Sequence, residues 1–274
     1  MQGRNTLLWV LVLGSFKLYA APDNEETKCR PSACVTTNVD AAGSTLTWTS
    51  YWQYDNKGRL IRDTAAFIEM VPGMPEYNIH HFAYSGDSVI SYYTNDTTLI
   101  RLNKKGLPRH NILPFGTEYQ AFENPDGTLH KLEYRWAYIN RKGEKDYSIA
   151  TIDNIVYANG NVVSYRAWEN YAPHLTRTVT CTYYPNLYND IETCPIDRVS
   201  GLGFLPYGQT GFLNVLLYSK NLVKTMQQRS SSLNYAYQYD EQNRLVEITR
   251  DLAYEDRQPS AHAIDTYELK YPCK

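Results

Sequence analysis

The chain has 274 residues, of which 27 are Lys or Arg and 29 are Asp or Glu, so its formal net charge is −2. A near-neutral chain without a basic run has no long-range attraction for nucleic acid or anionic lipid, and we expect no nucleic-acid partner. The unusual count is Tyr 25, in a chain that is 14% aromatic. Tyrosine packs its ring on a pleated sheet while its hydroxyl reaches water, so this excess favours β-strands.

The N-terminal segment has the order of a cleavable signal peptide. Arg4 precedes the apolar run 7–13, and the small residues Ala20 and Ala21 follow it. The run is shorter than the roughly 20 apolar residues that a membrane-spanning helix needs. We therefore predict a signal peptide at 1–21 and export to the periplasm, the cell surface or the extracellular space. After cleavage the protein is not expected to be an integral membrane protein.

The mature chain divides into two parts by composition. Residues 22–44 are polar and rich in turn residues, which predicts a flexible leader. Residues 45–274 alternate aromatic or aliphatic with polar side chains between Gly- and Asn-rich turns, which is typical of strands joined as hairpins. We therefore predict a single β-rich domain over 45–274.

One hairpin pattern occurs twice. The stretch Trp52–Leu60 returns near the C-terminus as Tyr237–Leu245. Each copy has an aromatic strand end, an Asp that can bond the turn backbone, and a second strand that opens with Arg-Leu. Gly58 and Asn243 occupy the position that needs a positive φ, which both residue types tolerate. The repeat indicates a scaffold of β-hairpins and carries no chemistry of its own.

The spacing of the hairpins predicts an all-β fold, an antiparallel meander that forms a curved sheet or an open or partial barrel. Turn glycines are unevenly spaced, so the chain is not a strict solenoid. One segment breaks the pattern, because Phe212, Val215 and Ser219 fall at helical spacing. This predicts one short helix near 210–219 that plugs an end of the sheet.

Two known groups share motifs with the chain. The Tyr-x-Tyr-Asp-x-x-Gly-Arg-Leu form resembles the YD repeats of large bacterial shell proteins. The segments Gly203–Gly208, Tyr218–Leu222 and Tyr235–Leu245 resemble an uncharacterised family of exported Bacteroidetes proteins described as having a porin-like β fold. This resemblance implies a fold and a compartment, but no activity or catalytic residues.

A porin-like fold need not be a pore. A barrel in a lipid bilayer presents an apolar band on every second residue of its strands. In the strand around Thr178, threonines on one face alternate with Arg177, Val179 and Cys181 on the other, so neither face is uniformly apolar. The pattern favours a soluble sheet or partial barrel.

Five cysteines are present: Cys29, Cys34, Cys181, Cys194 and Cys273. Export permits disulfides, and Cys181 and Cys194 flank a turn-rich loop, so we predict a bridge between them. Two bridges among five cysteines allow about 15 pairings, between which the sequence does not choose. No Cys-x-x-Cys pair occurs, and the neighbouring His80 and His81 point to opposite faces of a strand. We expect no metal and no cofactor.

Catalysis leaves little trace in the sequence. A glycan hydrolase needs two carboxylates at a fixed separation, and no spacing singles out a pair among the candidates Glu118, Glu123, Glu133 and Glu169. A Gly-x-Ser-x-Gly nucleophile motif is absent. An enzyme is therefore less expected than a non-enzymatic protein, and a glycan-acting hydrolase with a carboxylate pair remains the alternative.

Aromatic rows suggest a binding role. Trp48 and Trp52 share one strand face, and Tyr134 and Trp136 lie on another strand. The four rings are candidates for a platform that stacks on carbohydrate or lines a lipid cavity. The alternative is that they form the core of a twisted sheet. We predict an exported non-enzymatic binding or structural protein of the bacterial cell envelope.

Overall fold

The structure is a computed structural model. It describes residues 29–66, 77–93, 96–104, 107–112, 118–140, 142–170, 176–188, 218–229, 231–254 and 261–273. Within these ranges the chain forms sixteen β-strands, numbered in chain order: β1 (Ala33–Val39), β2 (Thr45–Tyr54), β3 (Leu60–Ala66), β4 (Tyr77–Ser85), β5 (Ser88–Tyr93), β6 (Asp96–Leu102), β7 (Pro108–Ile112), β8 (Glu118–Glu123), β9 (Leu129–Ile139), β10 (Lys145–Ala158), β11 (Asn161–Glu169), β12 (Arg177–Tyr188), β13 (Asn221–Gln227), β14 (Ser231–Tyr239), β15 (Leu245–Tyr254) and β16 (Ala261–Lys270).

The strands form a closed barrel. Each strand pairs antiparallel with its neighbours in the chain, and β1 also pairs with β16, from Ala33 opposite Lys270 to Val39 opposite Ile264. The predicted antiparallel meander is confirmed, whereas the predicted open or partial barrel is wrong. The barrel is closed because the first strand, β1, pairs with the last, β16, and this pairing leaves the sheet without a free edge.

The closing strand β1 lies inside the segment 22–44 that composition predicts to be a flexible leader. Its sequence, Ala-Cys-Val-Thr-Thr-Asn-Val, is polar overall, yet Val and Thr are good strand formers. Cys34 and Thr36 point inward and are buried, at 2% and 4% exposure. Residues 33–39 are therefore part of the barrel wall.

The short helix predicted near 210–219 lies outside the described residues except for Tyr218 and Ser219. The described part of the chain contains no α-helix. No helix among these residues is long and apolar enough to cross a membrane.

The repeated hairpin has the predicted chemistry in both copies. The Asp55 carboxylate accepts hydrogen bonds from the backbone N–H groups of Lys57 and Arg59, at 2.9 and 2.8 Å, and pairs with the Arg59 side chain. Asp240 makes the same set of bonds in the second copy. Gly58 and Asn243 take φ values of 70° and 64°, so the identification of the positive-φ positions is confirmed.

A tyrosine on the next strand, or directly after it, stabilises each of these hairpins. The Tyr84 hydroxyl donates to the Leu60 carbonyl at 2.9 Å, and the Arg59 guanidinium lies 4.5 Å from the centre of the Tyr84 ring. Tyr271 makes equivalent contacts with Arg244–Leu245. The Tyr-Asp-turn-Arg-Leu repeat is thus a unit that joins adjacent hairpins, and part of the tyrosine excess serves this purpose.

We call the end of the barrel that carries the turns 55–59, 124–128 and 240–244 the base, and the opposite end the mouth. The side chains just after these three turns, Leu60, Leu129 and Leu245, are 7%, 1% and 2% exposed. Buried side chains form two clusters. One holds Tyr119, Ala121, Leu129, Leu132, Ile152, Val162, Tyr165, Ala167, Val179, Cys181, Val223 and Met226. The other holds Cys34, Trp52, Leu60, Phe82, Val89, Ile100, Leu245, Ile248 and Leu269.

A disulfide joins Cys29 to Cys273 beside the β1–β16 seam, at the base. Cys34 and Cys181 are buried, and neither forms a disulfide with another cysteine of the described residues. Burial raises the pKa of the Cys34 thiol to about 11. Cys194 lies outside the described residues, so its pairing with Cys181 stays a prediction.

Candidate functional site

The interior of the barrel changes character from base to mouth. On β9, the inward side chains are Leu132, Tyr134, Trp136 and Tyr138, in that order toward the mouth. Leu132 is fully buried, Tyr134 and Trp136 are half-buried, and Tyr138 is 41% exposed. Along β9 the inward side chains are therefore most deeply buried at the base and become more exposed toward the mouth.

The four aromatic residues predicted to bind a ligand all point inward, but from two walls. Trp48 and Trp52 lie on β2, and Tyr134 and Trp136 lie on β9, seven strands away in a ring of sixteen. Trp52 is 5% exposed and belongs to the packed base, in agreement with the core interpretation of this ring. Trp48 and Trp136 are half-buried nearer the mouth.

A polar row crosses the same wall as Trp48. Arg250, Asp265 and Asn38 are direct cross-strand neighbours on β15, β16 and β1. The Asp265 carboxylate accepts from Arg250 Nε at 2.7 Å and from Asn38 Nδ2 at 2.5 Å. The Arg250 and Asp265 side chains keep 25% and 13% of their surface exposed, so the pair is screened from water but not sealed. We call these three residues the seam row.

Aromatic side chains flank the seam row on its base side. Tyr267 lies two residues from Asp265 on β16, and its ring centre is 5.9 Å from the Arg250 guanidinium. Thr36 stands between Tyr267 and Trp48 in the next cross-strand row. Sequence reasoning missed this site, because it treated β1 as leader and so had no strand to bring Asn38 beside Asp265.

A second polar group is buried nearer the base. Trp52, Asp63 and His80 are consecutive cross-strand neighbours on β2, β3 and β4, and each is 5% exposed. Burial raises the pKa of Asp63 to about 6, and the Trp52 indole opposes this shift. Burial also lowers the pKa of His80 to about 4, to which the neighbouring His81 contributes. His81 is exposed on the outer wall, so the two histidines face opposite sides as predicted.

Three of the four carboxylates considered for hydrolysis form a hydrogen bond or ion pair with another side chain. Glu118 bonds His110 Nε2 at 2.8 Å, and Glu133 pairs with Lys131 at 2.6 Å. Glu123 accepts from the Tyr218 hydroxyl at 2.8 Å. Glu169 is half-buried at the mouth end of β11. Within the described ranges, no group of three or more His, Cys, Asp or Glu is placed to hold a metal ion.

Comparison with known proteins supports the fold. No family model matches the chain, and no curated protein is significantly similar to it. A porin-like protein from Bacteroides uniformis is similar in structure, with a TM-score of 0.53 and 14% sequence identity over 88% of this chain and 97% of that one. A porin-like protein from Bacteroides vulgatus has a TM-score of 0.49 and 13% identity, over 89% of this chain and 100% of that one. The first likeness confirms a porin-like fold and, at this identity, shows the fold alone.

Proposed function

We propose that the protein is an exported, non-enzymatic barrel of the cell envelope that holds a small ligand, a carbohydrate or a lipid, in the mouth half of its lumen. The observation that carries this proposal is the change in side-chain burial and polarity along the inner wall of the barrel, from base to mouth. The base is packed with fully buried side chains, whereas the mouth half carries half-buried aromatic rings and a charged row. Concave sites of this kind, largely apolar with a few placed polar groups, are the usual form of ligand pockets.

The disulfide supports export. Cys29–Cys273 joins residues 244 positions apart, and structural disulfides persist mainly in oxidising compartments outside the cytosol. The N-terminal pattern that indicates a signal peptide at 1–21 agrees with this, although it lies outside the described residues. Together they favour a mature protein that folds and acts beyond the inner membrane.

The outer wall supports a barrel surrounded by water. Thr249, Thr266, Thr37 and Thr47 are consecutive outward neighbours across β15, β16, β1 and β2. The last two hydroxyls are 3.3 Å apart. A lipid-facing wall needs an apolar band at these positions, whereas the exposed Leu99 and its outward neighbour Ile90 form an apolar patch on other strands, β6 and β5.

Native mass spectrometry of the mature protein purified from its own host tests the proposal. We expect a copurifying small molecule that is lost on the double change Trp48→Ala and Trp136→Ala, which removes the half-buried tryptophans of both walls, and kept on Arg135→Ala, an outward change on β9. A ligand retained equally by both variants, or a protein that is always ligand-free and binds no added sugar or lipid, would contradict a lumenal site. Cleavage of an added oligosaccharide would favour the glycan hydrolase instead.

A further inference from the structure

We infer that the seam row, together with Tyr267 and Trp48, is a binding site for a neutral saccharide. This inference rests on the proposed lumenal binding function and names the ligand class and the residues. The site spans four adjacent strands, β15, β16, β1 and β2, on the inner wall of the barrel.

The placement of polar and aromatic groups matches the two surfaces of a sugar ring. Inward side chains on one strand recur every second residue, about 7 Å apart. Tyr267 therefore lies one such step from Asp265, and Trp48 lies in the same cross-strand row as Tyr267. A ring stacked on the aromatic row would present its hydroxyl edge to the seam row.

The seam row has the donors and acceptors that hydroxyl groups need. The carboxylate of Asp265 only accepts, the guanidinium of Arg250 only donates, and the amide of Asn38 does both. Adjacent sugar hydroxyls can bond such planar groups in pairs, and bonds to charged partners are stronger than neutral ones. The Trp48 and Tyr267 faces offer apolar contact to the C–H side of the ring.

The charge balance of the row selects against other ligands. Arg250 and Asp265 neutralise each other, so no net positive charge remains to attract an acidic sugar or a phosphate. A lipid chain laid over the row would bury the ion pair without hydrogen bonds to replace those from water, which is unfavourable. A neutral sugar replaces those bonds.

A purely structural role is the competing account, because the row also ties together the strands that close the barrel. The two roles make different predictions. A structural row affects stability without changing affinity for any sugar, whereas a binding row changes affinity in a variant that remains folded.

The test is a screen of neutral and acidic oligosaccharides against the disulfide-bonded mature protein, followed by titration calorimetry with the best binder. Asp265→Asn, which loses a bond to a charged group, and Trp48→Ala, which loses the aromatic contact, should each weaken binding by about tenfold or more. Thr249→Ala, an outward change next to Arg250, is the matched control and should leave the affinity unchanged. Circular dichroism and thermal melting of each variant verify that it is folded.

The outcomes separate this inference from the proposed function. Neutral-sugar binding that both variants retain would place the sugar elsewhere and overturn the inference, while lumenal binding would stand. Binding of acidic sugars or lipids alone would overturn the inference in the same way. Variants that melt earlier but bind with wild-type affinity would assign the row a structural role. Absence of any bound or binding molecule would overturn both.

Discussion

Replacing Asp63 by Asn should stabilise the protein at neutral pH, although it removes a charged group from the wall. Asp63 is 5% exposed, and burial raises its pKa from 3.8 to about 6. A shift of this size corresponds to about 3 kcal/mol. The native state binds the proton more tightly than the unfolded state, so stability is greatest below pH 3.8 and falls as the pH rises to 6. Asp63→Asn should thus increase the free energy of unfolding by up to about 3 kcal/mol above pH 6.

His80 acts in the opposite direction. Its pKa is lowered from 6.5 to about 4, so the native state excludes a proton that the unfolded histidine accepts. The contribution of His80 to the free energy of unfolding is greatest above pH 6.5. It decreases by about 3 kcal/mol as the pH drops toward 4. The two effects nearly cancel in the wild type, whereas in Asp63→Asn the His80 effect alone remains. The variant should therefore lose stability on acidification from pH 7 to 4 more steeply than the wild type.

Urea unfolding followed by tryptophan fluorescence, at half-unit steps from pH 4 to 8, measures both effects. Asp87→Asn, in the exposed turn between β4 and β5, is the matched control and should leave the profile unchanged. A decrease in stability of Asp63→Asn at pH 7 would refute the reasoning. It would mean that the Asp63 carboxylate is held ionised by a compensating partner and that burial does not determine its pKa.

Two further predictions concern the base. Replacing Cys29 and Cys273 by Ser should lower the free energy of unfolding by up to about 5 kcal/mol, because the bridge closes a loop of 244 residues in the unfolded chain. Thermal melting with and without reductant measures this loss. Equal melting temperatures would show that β1–β16 pairing holds the barrel closed without the disulfide. Tyr271→Phe should cost about 1 kcal/mol, since it removes the 2.8 Å bond to the Leu245 carbonyl. Tyr51→Phe, on a ring that is 52% exposed, should change stability little, and equal losses in the two variants would argue that the Tyr271 hydroxyl does not stabilise the hairpin.

The hairpins were predictable because their determinants are local. Asp55, Gly58 and Arg59 lie within five residues of one another, and their bonds follow from turn chemistry that a sequence displays directly. Closure of the barrel was not predictable in this way. It depends on pairing between β1 and β16, which are separated by most of the chain, and on a short Thr-rich strand whose polarity imitates a linker.

The candidate site likewise has a part that local sequence predicts and a part that depends on pairing between distant strands. Alternation placed Trp48 with Trp52, and Tyr134 with Trp136, on shared strand faces, and in the structure both faces point inward. The seam row depends on register between strands that are far apart in sequence, since Asn38 and Asp265 are 227 positions apart. Composition gives no sign of that register, so the polar part of the site emerges only when the strands are aligned.

The bridge between Cys29 and Cys273 closes the chain between them into a covalent loop, and its first and last strands, β1 and β16, lie side by side. A circularly permuted gene, with a short peptide in place of the bridge and new ends at the exposed Gly86 turn, should therefore encode the same barrel. In such a permutant β16 and β1 would be joined as an ordinary hairpin. Its folding would show whether the order in which the strands are synthesised affects closure of the barrel.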